Sequence, residues 1–177
     1  MDIQGILSNI SSEIVNHWWT PIRLLAALIG LWFMIAGIKG FTERQGDPNR
    51  KIAGASIFVG SCLLNFESFL NMMSVSFLGE ETPSQFWYSA KPQLNGFLMY
   101  LGFSLVIIQF FGYWFVIKAL IMFRESPRQG DSRQMWQAWG HLIGGFACVY
   151  VGDVLSVISY TVGGDIKVMI DALNITK

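Results

Sequence analysis

Four long apolar stretches divide the chain, and short polar segments separate them. The stretches cover residues 22–38, 52–78, 97–123 and 138–162. A helix needs about 20 apolar residues to cross the roughly 30 Å hydrocarbon core of a bilayer. The pattern therefore predicts an all-α membrane protein with four transmembrane helices, of which the first is close to the minimum length.

Both ends of the chain have an amphipathic pattern. In residues 1–21, apolar side chains recur at helical spacing opposite polar ones, and Trp18 and Trp19 follow where aromatic residues mark a membrane boundary. We expect an interfacial helix here, because no basic leader with an apolar core and a cleavage site is evident. A signal anchor is the competing interpretation. Residues 163–177 show the same spacing and predict a second amphipathic surface segment.

A repeat relates the two halves of the chain. Residues 30–33 match residues 112–115, and the sequence Arg-Gln-Gly-Asp occurs at 44–47 and again at 128–131. The offset between the copies increases by two residues at each step, as two small loop insertions would produce: 82 from Trp32 to Trp114, 84 from Gly46 to Gly130, and 86 from Cys62 to Cys148. The chain therefore reads as two tandem parallel helical hairpins, 22–78 and 97–162, joined by a connection at 79–96. Similarity arising from apolar composition alone is the alternative.

Composition and charge support a membrane location. Hydrophobic residues make up 53% of the chain and charged residues only 14%, whereas about 25% is usual in soluble domains. Basic residues concentrate in the two hairpin loops, which the positive-inside rule places in the cytoplasm. Both termini and residues 79–96 are then expected in the periplasm of a bacterial inner-membrane protein. We expect these loops to contact partners or lipid headgroups through Arg44, Arg50, Lys51, Arg124, Arg128 and Arg133.

The loop charges are few and of mixed sign, so direct nucleic-acid contact is unsupported. Arg23 departs from the charge pattern, because it lies near the outer end of the first span. We expect its side chain to extend to the outer headgroups.

Glu67 and Asp153 occupy matching places in the two copies, within apolar stretches. An ionisable group inside a membrane is costly unless it is shielded, paired or protonated. One interpretation is a polar pair that lines an aqueous path or accepts protons. The other is structural: each acid lies near the outer end of its helix, capped by hydroxyls such as Ser68 or Ser156, or within reach of headgroups.

Small residues recur every fourth position along the last span. Such a stripe permits close approach of another helix, and we expect it to pack within the chain or between subunits, together with the faces that carry Trp32 and Trp114. The stripe consists of Gly140, Gly144, Cys148 and Gly152. The two cysteines are interpreted as small core residues rather than a disulfide. His17 and His141 cannot assemble a metal site between them, and no catalytic motif is present, so we do not expect an enzyme.

The Trp-Phe helix, charged turn and Gly-rich helix together resemble small polytopic proteins of conjugation and type IVB secretion systems, the TraQ and DotE/IcmC group. Each hairpin also resembles the TrbC-type conjugative pilins, in which two apolar helices flank a short basic loop. Two departures from the pilins are evident: this chain has two hairpins instead of one, and it lacks their long cleaved leader.

These resemblances imply a structural, oligomer-forming inner-membrane component of a conjugative transfer or type IVB secretion apparatus. Expected partners are membrane lipid, further copies of the chain and other components of the apparatus, with no cofactor other than structural phospholipid. Two alternatives stay open. One is a duplicated pilin-like subunit that polymerises with phospholipid, and the other is a small proton-linked transporter or channel that uses Glu67 and Asp153.

Overall fold

The computed structural model describes residues 6, 9–10, 13–14, 17–43, 50–79, 96–129, 132–154 and 161. Regular structure in this part of the chain is helical throughout, which confirms the all-α prediction. The five helices with assigned bounds are α1 (Trp19–Glu43), α2 (Arg50–Leu64), α3 (Phe66–Leu78), α4 (Gly96–Gln129) and α5 (Ser132–Val149). Residues 151–154 are helical again after a turn at Tyr150.

Two of these helices are long and apolar enough to cross a membrane by themselves. They are α1, over Trp19–Thr42, and α4, over Tyr100–Ser126. Their large apolar side chains are widely exposed, as Leu28 at 66% and Phe111 at 50% illustrate, and a surface of this kind suits contact with lipid tails. The chain is thus an all-helical protein with two clear candidate membrane spans in its described part.

The second apolar stretch, 52–78, is not the single straight helix that its continuous pattern predicts. It forms α2 and α3, which meet at an angle of 91° and count as a third span only if the bent pair is taken as one. The break falls at Asn65, whose backbone has φ −107° and ψ 48°. Hydrogen bonds continue on both sides: the Asn65 N–H donates to the Ser61 carbonyl at 3.1 Å, and the Phe69 N–H donates to the Asn65 carbonyl at 2.9 Å.

The fourth predicted span, 138–162, is only partly within the described residues. Its helix α5 begins earlier than predicted, at Ser132, and ends at Val149. Residues 155–160 and the predicted C-terminal segment 163–177 lie outside the described residues, as do residues 80–95 of the connection. Four spans in two hairpins therefore stay a prediction. In the N-terminal segment, the described residues Ile6, Ile10 and Ile14 are helical, as the amphipathic pattern predicts.

The chain divides into two compact units. The central unit comprises Thr20–Ser84 and Tyr113–Phe146, and the terminal unit comprises Met1–Trp19, Gln85–Gly112 and Ala147–Lys177. In the central unit, the aromatic rings of Phe66 and Tyr113 meet edge to face with centroids 6.4 Å apart. Tyr113 is fully buried and Phe66 is almost so, and this contact joins the start of α3 to α4.

Within the central unit, α1 and α2 run antiparallel and approach closely. A Cβ atom placed on Gly37 would lie 2.6 Å from a side-chain carbon of Ile57 and 2.9 Å from the Ala53 carbonyl oxygen. Farther along, a Cβ on Gly30 would lie 2.7 Å from the Leu64 backbone nitrogen. Because real Cβ atoms do not approach other atoms this closely, the glycines set the distance between the two helices.

A buried polar contact and aromatic packing connect the described parts of the terminal unit. The Gln109 amide, on α4, donates a hydrogen bond to the Val149 carbonyl at 2.9 Å. That carbonyl belongs to the last residue of α5, where the next turn of helix does not continue. The rings of Trp18 and Phe110 meet edge to face at 5.6 Å, beside an apolar cavity of about 160 Å³ that Ile14 and Ile107 also line.

Candidate association face and charged sites

The small-residue stripe lies on α5, and its first half is open. Gly140 and Gly144 are exposed, and a Cβ atom on either would meet no atom of the described chain within 4 Å. Next to them, Trp136 is 77% exposed and Ile143 is 59% exposed. These four residues, Trp136, Gly140, Ile143 and Gly144, form what we call the α5 face.

The second half of the stripe has different surroundings. Cys148, the last stripe residue within α5, is partly buried. Gly152 is buried and lies in the helical residues 151–154, beyond the turn at Tyr150. The regular spacing of four therefore continues along the sequence, but α5 itself ends before it reaches Gly152.

The filled glycine contacts are found elsewhere, between α1 and α2. A Cβ on Gly60 would lie 2.8 Å from the Gly30 carbonyl oxygen and 2.9 Å from the Met34 backbone nitrogen. Sequence analysis selected the stripe on α5 and did not select these glycines. Their spacing could have identified them, because Gly30 and Gly37 are seven residues apart and fall on one side of a helix.

Trp32 and Trp114, the two aromatic residues expected to provide packing, lie on open faces. Trp32 is 69% exposed on α1, and Trp114 is 54% exposed on α4. The residues beside them in sequence point the other way: Phe33 and Tyr113 are buried. The tryptophans are therefore available to lipid or to another protein chain.

Glu67 has a charged partner that the sequence did not reveal. It lies in the first turn of α3, and the Arg23 guanidinium donates a hydrogen bond to its carboxylate at 3.1 Å. A carboxylate in the first turn of a helix is also favoured by the helix dipole. Arg23, which was expected to extend to the outer headgroups, connects α1 to the start of α3; its position relative to the headgroups stays a prediction.

Asp153 lies in the helical residues 151–154 and is partly buried. The helix that precedes it is interrupted at Tyr150, two residues after Cys148, and in the first copy the interruption falls at Asn65, three residues after Cys62. Each acid thus follows a break in the second helix of its copy, which supports the repeat. Glu67 belongs to the central unit and Asp153 to the terminal unit.

The basic residues assigned to the two hairpin loops are mostly helical, which corrects the expectation that they lie in loops between the apolar stretches. Arg124 and Arg128 lie in α4, Arg133 lies in α5, and Arg50 begins α2, followed by the exposed Lys51. Arg44 lies outside the described residues.

Arg124 occupies a junction of three helices in the central unit. Its Nε–H donates to the Ser56 hydroxyl on α2 at 3.0 Å, and its guanidinium carbon lies 4.1 Å from the centroid of the Phe33 ring on α1. Ser56 and Phe33 are buried, at 2% and 6% exposure. An arginine over an aromatic face is a favourable cation–π arrangement. The sequence pattern does not indicate this site, because its three residues are far apart in the chain.

The remaining polar candidates have local partners. His17 lies 3.1 Å from the Glu13 carboxylate, one helical turn away. The Nδ1 atom of His141 lies 2.8 Å from the Gln137 carbonyl oxygen, to which it donates in the Nδ1-protonated tautomer. Cys62 and Cys148 are free thiols. Among the described residues, no three His, Cys, Asp or Glu side chains come together as a metal site.

Comparisons with protein-family models, with curated proteins and with solved structures found no match to this chain. Fold and geometry define the class, an all-helical membrane protein with an open glycine-containing helix face.

Proposed function

We propose that this protein is a structural membrane component that associates with further copies of itself through the α5 face. The observation that carries the proposal is the contrast between two sets of glycines. Gly30, Gly37 and Gly60 are filled by a neighbouring helix, whereas Gly140 and Gly144 have open space above them in the described chain. The same chain therefore shows what such glycines accommodate, which is another helix backbone.

Membrane energetics support this assignment. Apolar side chains gain little by leaving lipid, so helices associate in membranes mainly through close van der Waals packing. Glycines on a helix surface allow that packing, and Trp136 and Ile143 extend the surface on either side, at 77% and 59% exposure. A lipid tail would fill the shallow groove less completely than a second helix, because protein surfaces can interdigitate with fixed complementary shapes.

The wider setting of the proposal is a bacterial conjugative transfer or type IVB secretion apparatus. What supports it is the resemblance to the TraQ and DotE/IcmC group over the whole chain, together with the all-helical, apolar character of the protein. In this setting the protein has four spans in two hairpins, with both termini in the periplasm, and its copies form a scaffold in the inner membrane. A duplicated pilin-like subunit that polymerises with phospholipid is the variant of this proposal that the hairpin resemblance favours.

Mass determination of the full chain in native-lipid particles tests self-association. We compare the wild type with Gly144→Leu and with Gly54→Leu, a matched control on α2 where a Cβ also meets no atom of the described chain. We expect Gly144→Leu to reduce the mass to that of a smaller species, while Gly54→Leu keeps the wild-type mass. Circular dichroism confirms that both variants are helical.

Two results would contradict the proposal. A wild-type protein that is monomeric in native lipid at all concentrations excludes self-association as its function. A wild-type oligomer that Gly144→Leu leaves intact excludes the α5 face as the contact. A ring or filament with retained phospholipid, seen by electron microscopy of the same particles, would separate the scaffold from the pilin-like variant by its shape.

The helix break supports a second candidate function, a small proton-linked transporter or channel. Many transporters bind ions and substrates where a membrane helix is interrupted, and Glu67 lies just after the 91° break between α2 and α3. Under this proposal, Glu67→Gln and Asp153→Asn abolish proton uptake into proteoliposomes while leaving the mass of the particles unchanged. Proton uptake that neither substitution reduces would exclude the acids as the carriers.

A further inference from the structure

We infer that Arg124 is a binding site for the phosphate of an anionic phospholipid at the junction of α1, α2 and α4. The site is made of residues other than those of the α5 face and does not require self-association. It rests on three observations: the contacts of the guanidinium, its depth in the membrane and the charge of its surroundings.

Within the described part of the chain, the contacts of Arg124 use only some of its donors. A guanidinium has five N–H donors, and the Nε–H is directed to the Ser56 hydroxyl. Phe33 covers one face of the guanidinium group at 4.1 Å. Among the described residues, no carboxylate lies within ion-pair distance of Arg124. A partly buried cation in this situation is stabilised by an anion that accepts hydrogen bonds from the outer edge of the fork, formed by the two terminal nitrogens.

Arg124 lies near the end of a candidate membrane span, where lipid headgroups are expected. It lies two residues before Ser126, where the apolar span of α4 ends, which is about 3 Å along the helix axis. Its partner Ser56 lies six residues after Arg50, the first residue of α2, which is about 9 Å. Arg124 itself is therefore close to the end of the α4 span, while its guanidinium reaches back between the helices to Ser56, and we expect a headgroup phosphate at this end of the helices to be within reach of its outer edge.

The surroundings favour an anion. Arg50 and the exposed Lys51 begin α2, and the N-terminus of that helix carries a partial positive charge. Ser56 fixes the guanidinium through Nε, so the two terminal nitrogens are pre-oriented on one edge. Two N–H groups on that edge can bind two oxygens of one phosphate. A lysine ammonium cannot provide this bidentate geometry. Phospholipid phosphates are the anions present at this depth, and basic pockets between membrane helices recognise them.

Thermal unfolding of the purified full chain in neutral detergent tests the site. Phosphatidylglycerol, phosphatidylcholine and inorganic phosphate are titrated separately into the wild type, Arg124→Gln, Arg124→Lys, Ser56→Ala and Lys118→Gln. The last variant is the matched control, because Lys118 is an exposed cation on the same helix. We expect phosphatidylglycerol to raise the Tm of the wild type and of Lys118→Gln in a saturable manner.

For Arg124→Gln we expect an affinity for phosphatidylglycerol at least about tenfold lower, since charge-assisted hydrogen bonds are lost. Arg124→Lys and Ser56→Ala should each weaken the affinity severalfold. Arg124→Lys removes the forked guanidinium, and Ser56→Ala removes the hydroxyl that orients it. If Arg124→Gln does not fold, those two variants carry the comparison. Native mass spectrometry of the same samples counts the phospholipids that remain bound.

Three results would overturn the inference. The first is a phosphatidylglycerol affinity that all Arg124 and Ser56 variants retain. The second is an equal response to phosphatidylcholine, which would show that the acyl chains are recognised and the anionic headgroup is not. The third is a response to inorganic phosphate as strong as that to phosphatidylglycerol, which would assign the site to a free anion.

Discussion

The Nη1 atom of Arg23 lies 3.1 Å from the Oε2 atom of Glu67, so that an ion pair joins the N-terminal part of α1 to the first turn of α3. The pair lies directly beyond the break at Asn65, where the chain turns by 91°. The pair therefore connects the bend to α1 at the end of their antiparallel contact.

The ion pair should contribute only modestly to stability in detergent. Its side chains are 62% and 41% exposed, and exposed pairs of this kind are worth about 0.2–1 kcal/mol. We expect a double-mutant cycle with Arg23→Gln and Glu67→Gln to give a coupling free energy in that range. The measurement is the free energy of unfolding in mixed micelles, at low and at high salt.

The coupling should decrease as salt is added, because mobile ions screen exposed charges. A coupling of several kcal/mol that does not depend on salt would show instead that the pair is shielded from solvent. In that case the bend at Asn65 is maintained by a buried charge contact, and Glu67 would be a stronger candidate for an intramembrane role.

Gly30 and Gly144 should respond in opposite ways to the same substitution. A Cβ on Gly30 would lie 2.7 Å from the Leu64 backbone nitrogen and 2.8 Å from the Gly60 carbonyl oxygen, whereas one on Gly144 meets no atom of the described chain within 4 Å. Overpacking by one methyl typically costs about 1–3 kcal/mol. We therefore expect Gly30→Ala to lower the free energy of unfolding by that amount in monomeric micelles.

Gly144→Ala should instead raise the free energy of unfolding of the monomer by about 0.5–1 kcal/mol, because alanine stabilises a helix relative to glycine. Circular dichroism during denaturant titration measures both variants. Equal destabilisation by the two substitutions would mean that the α5 face is already covered in the monomer, which would remove the basis of the self-association proposal.

The sequence predicts α1 and α4 well, since each is an apolar run long enough to cross a bilayer. The bend between α2 and α3 could not be predicted, because residues 52–78 stay apolar through it and Asn65 alone does not specify an angle. The Arg23–Glu67 pair had a usable signal. Arg23 lies 20 residues before Glu43, the end of α1, and Glu67 lies 17 residues after Arg50, the start of α2, so an antiparallel hairpin brings them to a similar level.

The two candidate sites also differ in how well the sequence predicts them. The stripe on α5 follows from a local spacing of four residues, and the structure shows Gly140 and Gly144 exposed on one helix. The Arg124 junction depends on three helices that meet only in the folded chain, so its sequence pattern indicates no more than a basic residue near a span end. Local periodicity was therefore sufficient for the stripe and insufficient for the junction.

Gln109 should be important for the terminal unit. It is 2% exposed, and its amide satisfies the carbonyl of Val149 at 2.9 Å. Leaving a buried carbonyl without this donor costs about 1–3 kcal/mol. We expect Gln109→Leu to lower the free energy of unfolding by that amount, and Gln137→Leu, at an exposed position on α5, to change it by less than about 0.5 kcal/mol. Equal effects of the two substitutions would show that the hydrogen bond does not stabilise the unit.

The direction of α3 can be tested by cysteine labelling. Because α1 is long enough to cross a membrane and α2 runs antiparallel to it, we expect α2 to follow the bilayer normal and α3, at 91° to α2, to run along the membrane plane. Glu67, with its partner Arg23, then lies at headgroup level. Two exposed serines of α3, Ser68 and Ser76, should therefore be in contact with water.

We expect Ser68→Cys and Ser76→Cys, in a Cys62→Ser, Cys148→Ser background, to react with a membrane-impermeant maleimide in nanodiscs, where both membrane faces are accessible. The control is Phe58→Cys, because Phe58 is 68% exposed on α2 and is expected to contact lipid tails. The two serine positions should react at least about tenfold faster than the control, since thiol reactivity requires solvent access. If Ser76→Cys reacts as slowly as Phe58→Cys while Ser68→Cys reacts rapidly, α3 enters the hydrocarbon as a re-entrant helix, and the transporter proposal gains the broken span it requires.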